Sequence, residues 1–310
     1  MTSENSPESP ARGVGGAWPD GGTGPDGGRS VRPCGYAGRM ARYVPAPEPE
    51  PEPVPAAEEA ALRQGRARPW WPYLLTAAVS VALLVWTVVA YPGLPEQVPV
   101  HWGIDGRPDR WEDTTLGTVA FAPIFGLGMT AFLALIAAMI PAMTGVHGAT
   151  SAWRRVRQEG VNRGVREGMG WIALLSLLMT APTTAEVLSA GAWRMPWWLM
   201  PLLLTALMVG VFGALRATLG RWTRWADGVA ADLGHRPTPE ELAEDKTWTP
   251  LGMKDDPEDP TVFPAKRPGY GVGTTINIGT RAGRLLVYGF VAMFMVALPL
   301  ATWIGAYLAR

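Results

Sequence analysis

The chain alternates between long apolar runs and polar stretches rich in Gly, Pro and charged residues. Each apolar run has about 20 residues, the length that an α-helix needs to cross the hydrocarbon core of a bilayer. The runs predict five transmembrane helices, at residues 70–91, 116–143, 168–190, 195–215 and 285–309. Pro182 and Pro299 should kink the third and fifth of them, because proline cannot donate a backbone hydrogen bond. We therefore predict an all-α integral membrane protein.

The polar stretches divide the chain into its expected parts. Residues 1–66 are Gly-, Pro- and Glu-rich, and they should form a disordered cytoplasmic tail because they hold too little apolar surface to offset the entropy of ordering. A helix–loop–helix unit should follow at 67–143, with its loop at 91–115. The remaining parts should be a pair of helices with an Arg-rich inner loop (144–216), a small cytoplasmic region (217–283) and the fifth transmembrane helix (284–310).

The region 217–283 should contain a short helix and a small hairpin. Thr238-Pro-Glu-Glu241 has the form of a helix N-cap, with proline at the first helical position and a capping-box glutamate. Trp222 and Trp225 suggest that the fourth helix continues along the membrane interface. Residues 261–266 and 272–278 could pair as two short β-strands.

The distribution of Lys and Arg predicts the orientation, since cytoplasmic loops carry an excess of both. One side of the membrane would hold Arg63, Arg66, Arg68, Arg154, Arg155, Arg157, Arg163, Arg166, Arg216, Arg221, Arg224, Arg281 and Arg284. The other side would hold only Arg107, Arg110, Arg194 and Arg310. We therefore expect a cytoplasmic N-terminus, an outside C-terminus and a loop 91–115 that faces outward.

Composition gives no support for an enzyme or a nucleic-acid-binding protein. The chain has 27 basic and 27 acidic residues, so no net positive charge would attract nucleic acid. The single cysteine, Cys34, excludes an internal disulfide and a multi-cysteine metal site. The sequence contains no Gly-x-Ser-x-Gly, His-Glu-x-x-His or Cys-x-x-Cys motif, and we expect no cofactor and no catalytic residue.

The loop 91–115 holds the densest set of candidate functional side chains, namely His101, Trp102, Asp105, Asp109, Arg110 and Trp111. One alternative is a metal site on its histidine and aspartates, although zinc prefers more His or Cys ligands. A second is that the aspartates and arginines pair and hold a compact loop. A third is that Trp102 and Trp111 rest on the outer leaflet while His101 and Arg110 meet a peptide. In that case we expect Trp111 to hold the loop together and His101 to serve recognition.

Glu186 is the one acidic residue that we place inside a predicted span. Intramembrane ionisable residues are functional candidates, because a charge in hydrocarbon costs several kcal/mol. Glu186 lies about one turn from the outer end of its helix, so contact with interfacial water or pairing with Arg194 would also explain it. Ser176, Thr180 and Thr184 form a hydroxyl stripe on the same helix, and Glu186 should point away from it.

Two segments resemble known families. Tyr91-Pro-Gly-Leu-Pro95, Pro99-Val-His-Trp102 and Gly106-Arg-Pro-Asp-Arg-Trp111 resemble the outward loop of SdpI-type toxin-immunity membrane proteins, which carry the domain of unknown function 1648. The segment from Lys254 to Gly279, with its Asp-Pro steps and Asn277, resembles domain of unknown function 5808. Neither resemblance brings a catalytic residue.

The first resemblance implies a bacterial plasma-membrane protein that gives immunity to a membrane-active toxin or senses an envelope signal. The lipid bilayer, an extracellular peptide toxin and a cytoplasmic regulator would be its partners, the last meeting the Arg-rich inner loops. A transporter or transporter subunit, with Glu186 as the coupling acid, is the alternative function. A membrane scaffold without a ligand is the third.

Overall fold

The computed structural model describes residues 54–103, 106–144, 151–267 and 273–310. The described part contains eight α-helices and one two-stranded antiparallel sheet. In chain order these are α1 Ala56–Arg63, α2 Trp71–Ala90, β1 Gln97–Trp102, β2 Pro108–Asp113, α3 Leu116–Thr144, α4 Ala152–Leu188, α5 Leu199–Asp232, α6 Pro239–Asp245, α7 Arg281–Ala292 and α8 Leu298–Ala309.

Five helical stretches of the described chain are long and apolar enough to cross a membrane, as predicted. Four of them are carried by α2, α3, α4 and α5. The fifth, Arg281–Ala309, is formed by α7 and α8 with a π-helical turn, Met293–Ala297, between them. Pro299 is the second residue after that turn, and the wider π-helical path before it accommodates a residue without a backbone N–H.

The spans are arranged with polar groups inside and apolar groups outside, as expected for helices in lipid. In α2 the buried positions include Thr76, Ser80 and Thr87, whereas Leu74 and Val89 are largely exposed. The hydroxyls of Thr76 and Thr87 each donate to a carbonyl four residues earlier at 2.8 Å. Such back-bonding satisfies a hydroxyl without water, so these side chains can lie between helices.

A stripe of glycines lets α4 and α5 pack with their backbones almost in contact. Gly160, Gly164 and Gly168 recur every four residues on one face of α4. A Cβ on Gly160 would lie 2.6 Å from the carbonyl oxygen of Trp222, and one on Gly164 would lie 2.9 Å from the Cα of Leu219. No side chain fits at those distances, so the close approach of α4 and α5 requires glycine at these positions.

Both α4 and α5 extend well beyond the thickness of a bilayer. With 37 residues, α4 is about 55 Å long, whereas the hydrocarbon core is about 30 Å thick. An Arg-rich inner loop is expected before the third span at 168, and this is wrong for residues 152–167, which form the first half of α4. The fourth helix continues past Trp222 and Trp225 as predicted, although Trp222 is buried against α4 rather than placed at an interface.

The arginines in the first half of α4 form ion pairs within the protein. Arg155 donates from Nε and Nη2 to both carboxylate oxygens of Glu58 at 3.0 Å. Arg157 pairs with Asp227 of α5 at 2.9 Å and with Asp245 of α6 at 2.8 Å. These pairs explain why a charged segment is a packed helix here, since the guanidinium groups of Arg155 and Arg157 meet carboxylates where they leave water.

Arg163 is the most deeply buried of these arginines, with 0% of its side chain exposed. It pairs with Glu159 at 2.8 Å and donates to the carbonyl oxygen of Gln64 at 2.7 Å. Its guanidinium carbon also lies 4.1 Å from the centre of the Trp225 ring. Arg163 therefore joins α4, α5 and the segment after α1 in one contact.

The segment around Glu58 corrects the predicted extent of the disordered tail. Residues 1–53 lie outside the described part, but residues 56–63 form α1. The Ala- and Glu-rich sequence Ala56-Ala-Glu-Glu-Ala-Ala-Leu-Arg63 has high helix propensity. Glu58 is also held by Arg155 and lies 3.3 Å from Nε2 of His235, so α1 is fastened to the long helices.

The segment after α5 is fixed by caps and ion pairs. Thr238 and Glu241 form the predicted capping box at the start of α6. The predicted pairing of 261–266 with 272–278 is present in the described residues, as one β-bridge between Ala265 and Thr274 rather than two regular strands. Outside the spans, a hydrogen bond from Lys254 lowers the pKa of the Asp259 carboxyl to about 2.

Asn277 is the centre of this segment and is completely buried. Its side-chain amide donates to the carbonyl oxygens of Asp256 and Asp259 at 2.9 Å. Its side-chain oxygen accepts from the backbone N–H groups of Asp256 at 3.1 Å and Gly279 at 2.9 Å. Asn277 thus stabilises the fold of the segment in which it lies.

Candidate functional site

The candidate site is a β-hairpin between α2 and α3, at the end of the helices where α4 ends and α5 begins. β1 pairs antiparallel with β2, with Val98 opposite Glu112 and Pro99 opposite Trp111. The sequence predicts a loop at 91–115, and the structure corrects this to two paired strands within it, Gln97–Trp102 and Pro108–Asp113. The physical reason is the alternation of Val98, Val100 and Trp102, which gives β1 one apolar face.

The tip of the hairpin lies against the segment that joins α4 to α5. Gly106 has a φ of +73°, which favours glycine at this turn, and it is buried. A Cβ built on Gly106 would lie 3.6 Å from the side chain of Met195 and from backbone atoms of Pro196 and Trp197. The hairpin therefore covers the end of the bundle as a cap.

The inner face of the hairpin forms a small apolar core with the helix ends. Val98 is 1% exposed and packs with Val119 of α3 and Val187 of α4. Tyr91, Leu94 and Trp102 surround this cluster. Burial of these side chains stabilises the docked hairpin by roughly 1.5–3 kcal/mol for each fully buried aliphatic residue.

A hydrogen bond between Trp102 and Glu186 joins the hairpin to α4. The indole Nε1 donates to Oε2 of Glu186 at 2.9 Å. The same carboxylate oxygen lies 3.4 Å from the backbone N–H of Met195, which donates to it. Glu186 is only 7% exposed. The carboxylate thus bridges the hairpin and the α4–α5 connection.

This geometry corrects the expected partner of Glu186 and bears on the roles expected of Trp102 and Trp111. Glu186 forms no ion pair with Arg194 in the part of the chain that the structure describes; its partners there are Trp102 and Met195. The ring of Trp102 is half-buried and its indole N–H donates to Glu186, while the expectation that Trp102 rests on the outer leaflet stays a prediction. Trp111 is 51% exposed, so these contacts favour Trp102 over Trp111 as the side chain that fastens the loop.

The outer side of the hairpin presents charged groups to its surroundings. His101 Nδ1 and Asp109 Oδ1 are 2.5 Å apart, and both side chains are more than half exposed. Arg110 Nε lies 3.8 Å from Glu112 Oε1, and these side chains are also exposed. The hairpin is therefore two-sided, with an anchored apolar face and a polar edge that is open to a ligand.

The structure bears differently on the two remaining expectations, the metal site and the hydroxyl stripe of α4. Asp105 lies outside the described residues, so a metal site on His101, Asp105 and Asp109 stays a prediction. Within the described ranges, no group of three His, Cys, Asp or Glu side chains is placed to hold a metal. The hydroxyls of Ser176, Thr180 and Thr184 each bind a carbonyl of α4 itself, as expected for a packing surface.

Two clefts flank the hairpin. One, of about 510 Å³, lies between the hairpin tip and the α4–α5 connection and is lined by Trp111, Glu186 and Arg194 among others. The other, of about 390 Å³, lies between the hairpin and α3, with Arg110 and Phe121 in its wall. Both have the size of a small ligand or a few side chains of a peptide.

Comparison with known proteins gives a match for this same part of the chain. Residues 78–127 match a family described as domain of unknown function (DUF1648). No curated protein matches the chain, and no solved structure does. The resemblance of 254–279 to domain of unknown function 5808 stays a prediction. The hairpin, with the adjoining parts of α2 and α3, is therefore the part of this multi-pass membrane protein that is similar to a known domain, DUF1648.

Proposed function

We propose that the protein protects a bacterial plasma membrane against a membrane-active peptide, or senses such a peptide, through the hairpin. The hairpin would face outward and the polar halves of α4 and α5 the cytoplasm. The excess of arginine at the end opposite the hairpin supports this orientation by the positive-inside rule. The C-terminus would then lie outside, in keeping with Arg310, whose guanidinium carbon lies 5.4 Å from the Trp197 ring at the hairpin end.

The charge of the hairpin favours a cationic peptide as the ligand. Residues 96–113 include five acidic residues and two arginines, a formal net charge of −3. Asp109 and Glu112 are exposed on the outer edge. A negatively charged surface outside the membrane would attract a cationic peptide and repel an anionic one, which raises the rate of association.

The hydrogen bond between Trp102 and Glu186 is the observation that carries the proposal. This hydrogen bond fixes the hairpin to α4, so the exposed edge of the hairpin is held in one position before a ligand binds. Pre-organisation of this kind lowers the entropic cost of binding. Since α4 runs without interruption from Glu186 to Ala152, it also connects the hairpin to the polar half of the protein.

Binding of a peptide at the hairpin would be transmitted through α4 to the cytoplasmic half of the protein. The SdpI-type resemblance implies a cytoplasmic regulator, and the described contacts restrict where it would bind. Arg154, Arg155, Arg157 and Arg163 are held in internal ion pairs, so they are not free to recruit a partner. A regulator would meet the outer surface of the segment 247–280 or of α6 instead.

The transporter alternative depends on Glu186 as a coupling acid. The carboxylate is held by an indole N–H and a backbone N–H, the partners expected for a structural anchor. Glu186→Gln keeps an oxygen that accepts both bonds and cannot carry a proton. We expect this variant to retain protection in the assay below, whereas loss of protection with normal expression would favour the transporter.

The proposal is tested by survival of cells under challenge with cationic amphipathic peptides. Expression of the protein in a sensitive bacterium should raise the peptide concentration that halves survival. Asp109→Asn/Glu112→Gln should lower that concentration roughly tenfold relative to the unmodified protein, because the edge loses two attracting charges. His101→Ala should weaken protection in the same direction.

A charge-matched control separates the hairpin from overall charge. Asp232→Asn/Glu258→Gln removes two exposed acidic groups at the other end of the protein and should leave survival unchanged. Equal survival for the two double variants, at equal amounts of membrane protein, would contradict peptide recognition by the hairpin edge.

A further inference from the structure

A groove of about 730 Å³ lies beside α5 at the end of the protein that is opposite the hairpin. Its apolar part is formed by Phe212 and Leu219 of α5 and by Leu251 from the segment after α6. Leu251 is 50% exposed. The groove begins where the uncharged run of α5 ends, so it spans the boundary between apolar and polar surfaces of the protein.

Two arginines line this groove, Arg216 and Arg224. They stand four residues on either side of Gly220, close to one face of α5. Nη1 of Arg224 lies 3.7 Å from the position that a Cβ on Gly220 would occupy. The Arg224 side chain therefore folds back by about one turn toward Arg216 and toward the apolar run.

These two side chains differ from the other arginines nearby. Arg157, Arg163 and Arg221 are held by carboxylates of the protein. Arg216 and Arg224, by contrast, are exposed and have no ion-pair partner or hydrogen-bond acceptor among the residues that the structure describes. The groove thus presents two uncompensated guanidinium groups, whereas Arg157, Arg163 and Arg221 nearby are paired with carboxylates.

We propose that this groove binds the headgroup phosphate of an anionic phospholipid. The guanidinium groups of Arg216 and Arg224 would hold the phosphate oxygens, for which the planar donor fork of arginine is well matched. The acyl chains would lie along Phe212 and the apolar run of α5. Basic pockets at the end of transmembrane helices have the charge and position that anionic headgroups require.

The location favours a lipid over a soluble partner. Phe212 and Gly213, which form one end of the groove, belong to the apolar run that crosses the membrane, so that end opens toward the bilayer. A soluble anion would need only the two arginines, whereas a phospholipid also uses the apolar wall. The site is independent of the hairpin and of the function proposed for it.

The test is native mass spectrometry of the full-length protein released from nanodiscs that contain equal amounts of phosphatidylglycerol and phosphatidylcholine. The unmodified protein should retain phosphatidylglycerol in preference to phosphatidylcholine. Arg216→Gln/Arg224→Gln should retain roughly tenfold less phosphatidylglycerol, because two attracting charges are lost. Arg216→Lys/Arg224→Lys keeps both charges and should retain most of it.

The matched control is Arg66→Gln/Arg281→Gln, which removes two exposed arginines at the same end of the protein but outside the groove. It should bind phosphatidylglycerol as the unmodified protein does. Equal losses in the glutamine variants, or equal retention of the two lipids, would overturn the proposal. Thermal stabilisation of the unmodified protein by inorganic phosphate, without selective phosphatidylglycerol retention, would also overturn it and would identify a soluble phosphate site.

Discussion

Gly160→Ala should separate α4 from α5 and lower the free energy of unfolding by about 1–3 kcal/mol, the usual cost of overpacking. The added methyl would lie 2.6 Å from the carbonyl oxygen of Trp222 and 2.7 Å from the Cβ of Ala226. Neither is the end of a flexible side chain, so the helices must move apart. Gly160→Ala/Gly164→Ala should lose more, since the second methyl would meet the Cα of Leu219 at 2.9 Å.

The measurement is thermal unfolding of the detergent-extracted protein, with Gly228→Ala as the control. Gly228 lies in α5, and a Cβ there would meet nothing within 4 Å. Because alanine favours a helix over glycine by about 1 kcal/mol, the control should unfold at the same temperature or higher. Equal stability of Gly160→Ala and Gly228→Ala would show that the two helices do not pack as closely as described.

Trp102→Ala should release the hairpin from the bundle and destabilise the protein by about 2–3 kcal/mol, less than for a fully buried tryptophan. The change removes the indole from the cluster of Val98, Val119 and Val187. It also takes one hydrogen-bond donor from the buried Glu186. Trp102→Phe keeps most of the packing and should lose only about 1 kcal/mol, the contribution of one hydrogen bond.

Trp111→Ala is the matched control for Trp102→Ala, because it removes the same side chain from the other strand. Half of Trp111 is exposed, so its loss should cost less than about 1 kcal/mol. Both variants are compared by detergent thermal unfolding and by protease digestion of the segment 97–113. A larger loss for Trp111→Ala would mean that the outer face of the hairpin, not the Trp102–Glu186 contact, fastens it.

The membrane spans were predictable because a bilayer imposes a simple condition, about 20 apolar residues in a row. Runs such as 70–91 and 285–309 meet it, and the structure has helices there. A prediction from the same condition places the start of the third helix too late, at residue 168. Residues 152–167 are charged and read as a loop, although α4 begins at Ala152. Nothing local in the sequence reveals that Arg155 and Arg157 meet carboxylates on α1, α5 and α6.

The hairpin was partly visible in the sequence. The alternation of Val98, Val100 and Trp102 is a strand signal, but Pro99 and the glycines around it favoured a loop. The partner of Glu186 could not be predicted, because Trp102 lies 84 positions away and only the tertiary fold brings the two side chains together. Arg194 is nearer to Glu186 in the sequence, and nearness in sequence is the only reason to expect that ion pair.

The glycine stripe of α4 is a signal that sequence reasoning missed. Small residues recur every four positions in α5 at Ala206, Gly210 and Ala214, and they lie in an apolar run, where such stripes usually pack. Gly160 and Gly164 lie among charged residues, where glycine suggests flexibility. Their four-residue spacing was nevertheless sufficient to predict a close contact of two helices.

Cysteine labelling in intact cells tests the central claim, an anchored hairpin outside the membrane, most directly. Two glycines suit the probes, Gly93 beside the hairpin and Gly228 at the far end of α5, because a side chain would meet nothing within 4 Å at either. In a Cys34→Ser background, Gly93→Cys should react with a membrane-impermeant maleimide, and Gly228→Cys should react only after the cells are opened. Labelling of Gly228→Cys in intact cells, with Gly93→Cys protected, would place the hairpin in the cytoplasm and contradict the account.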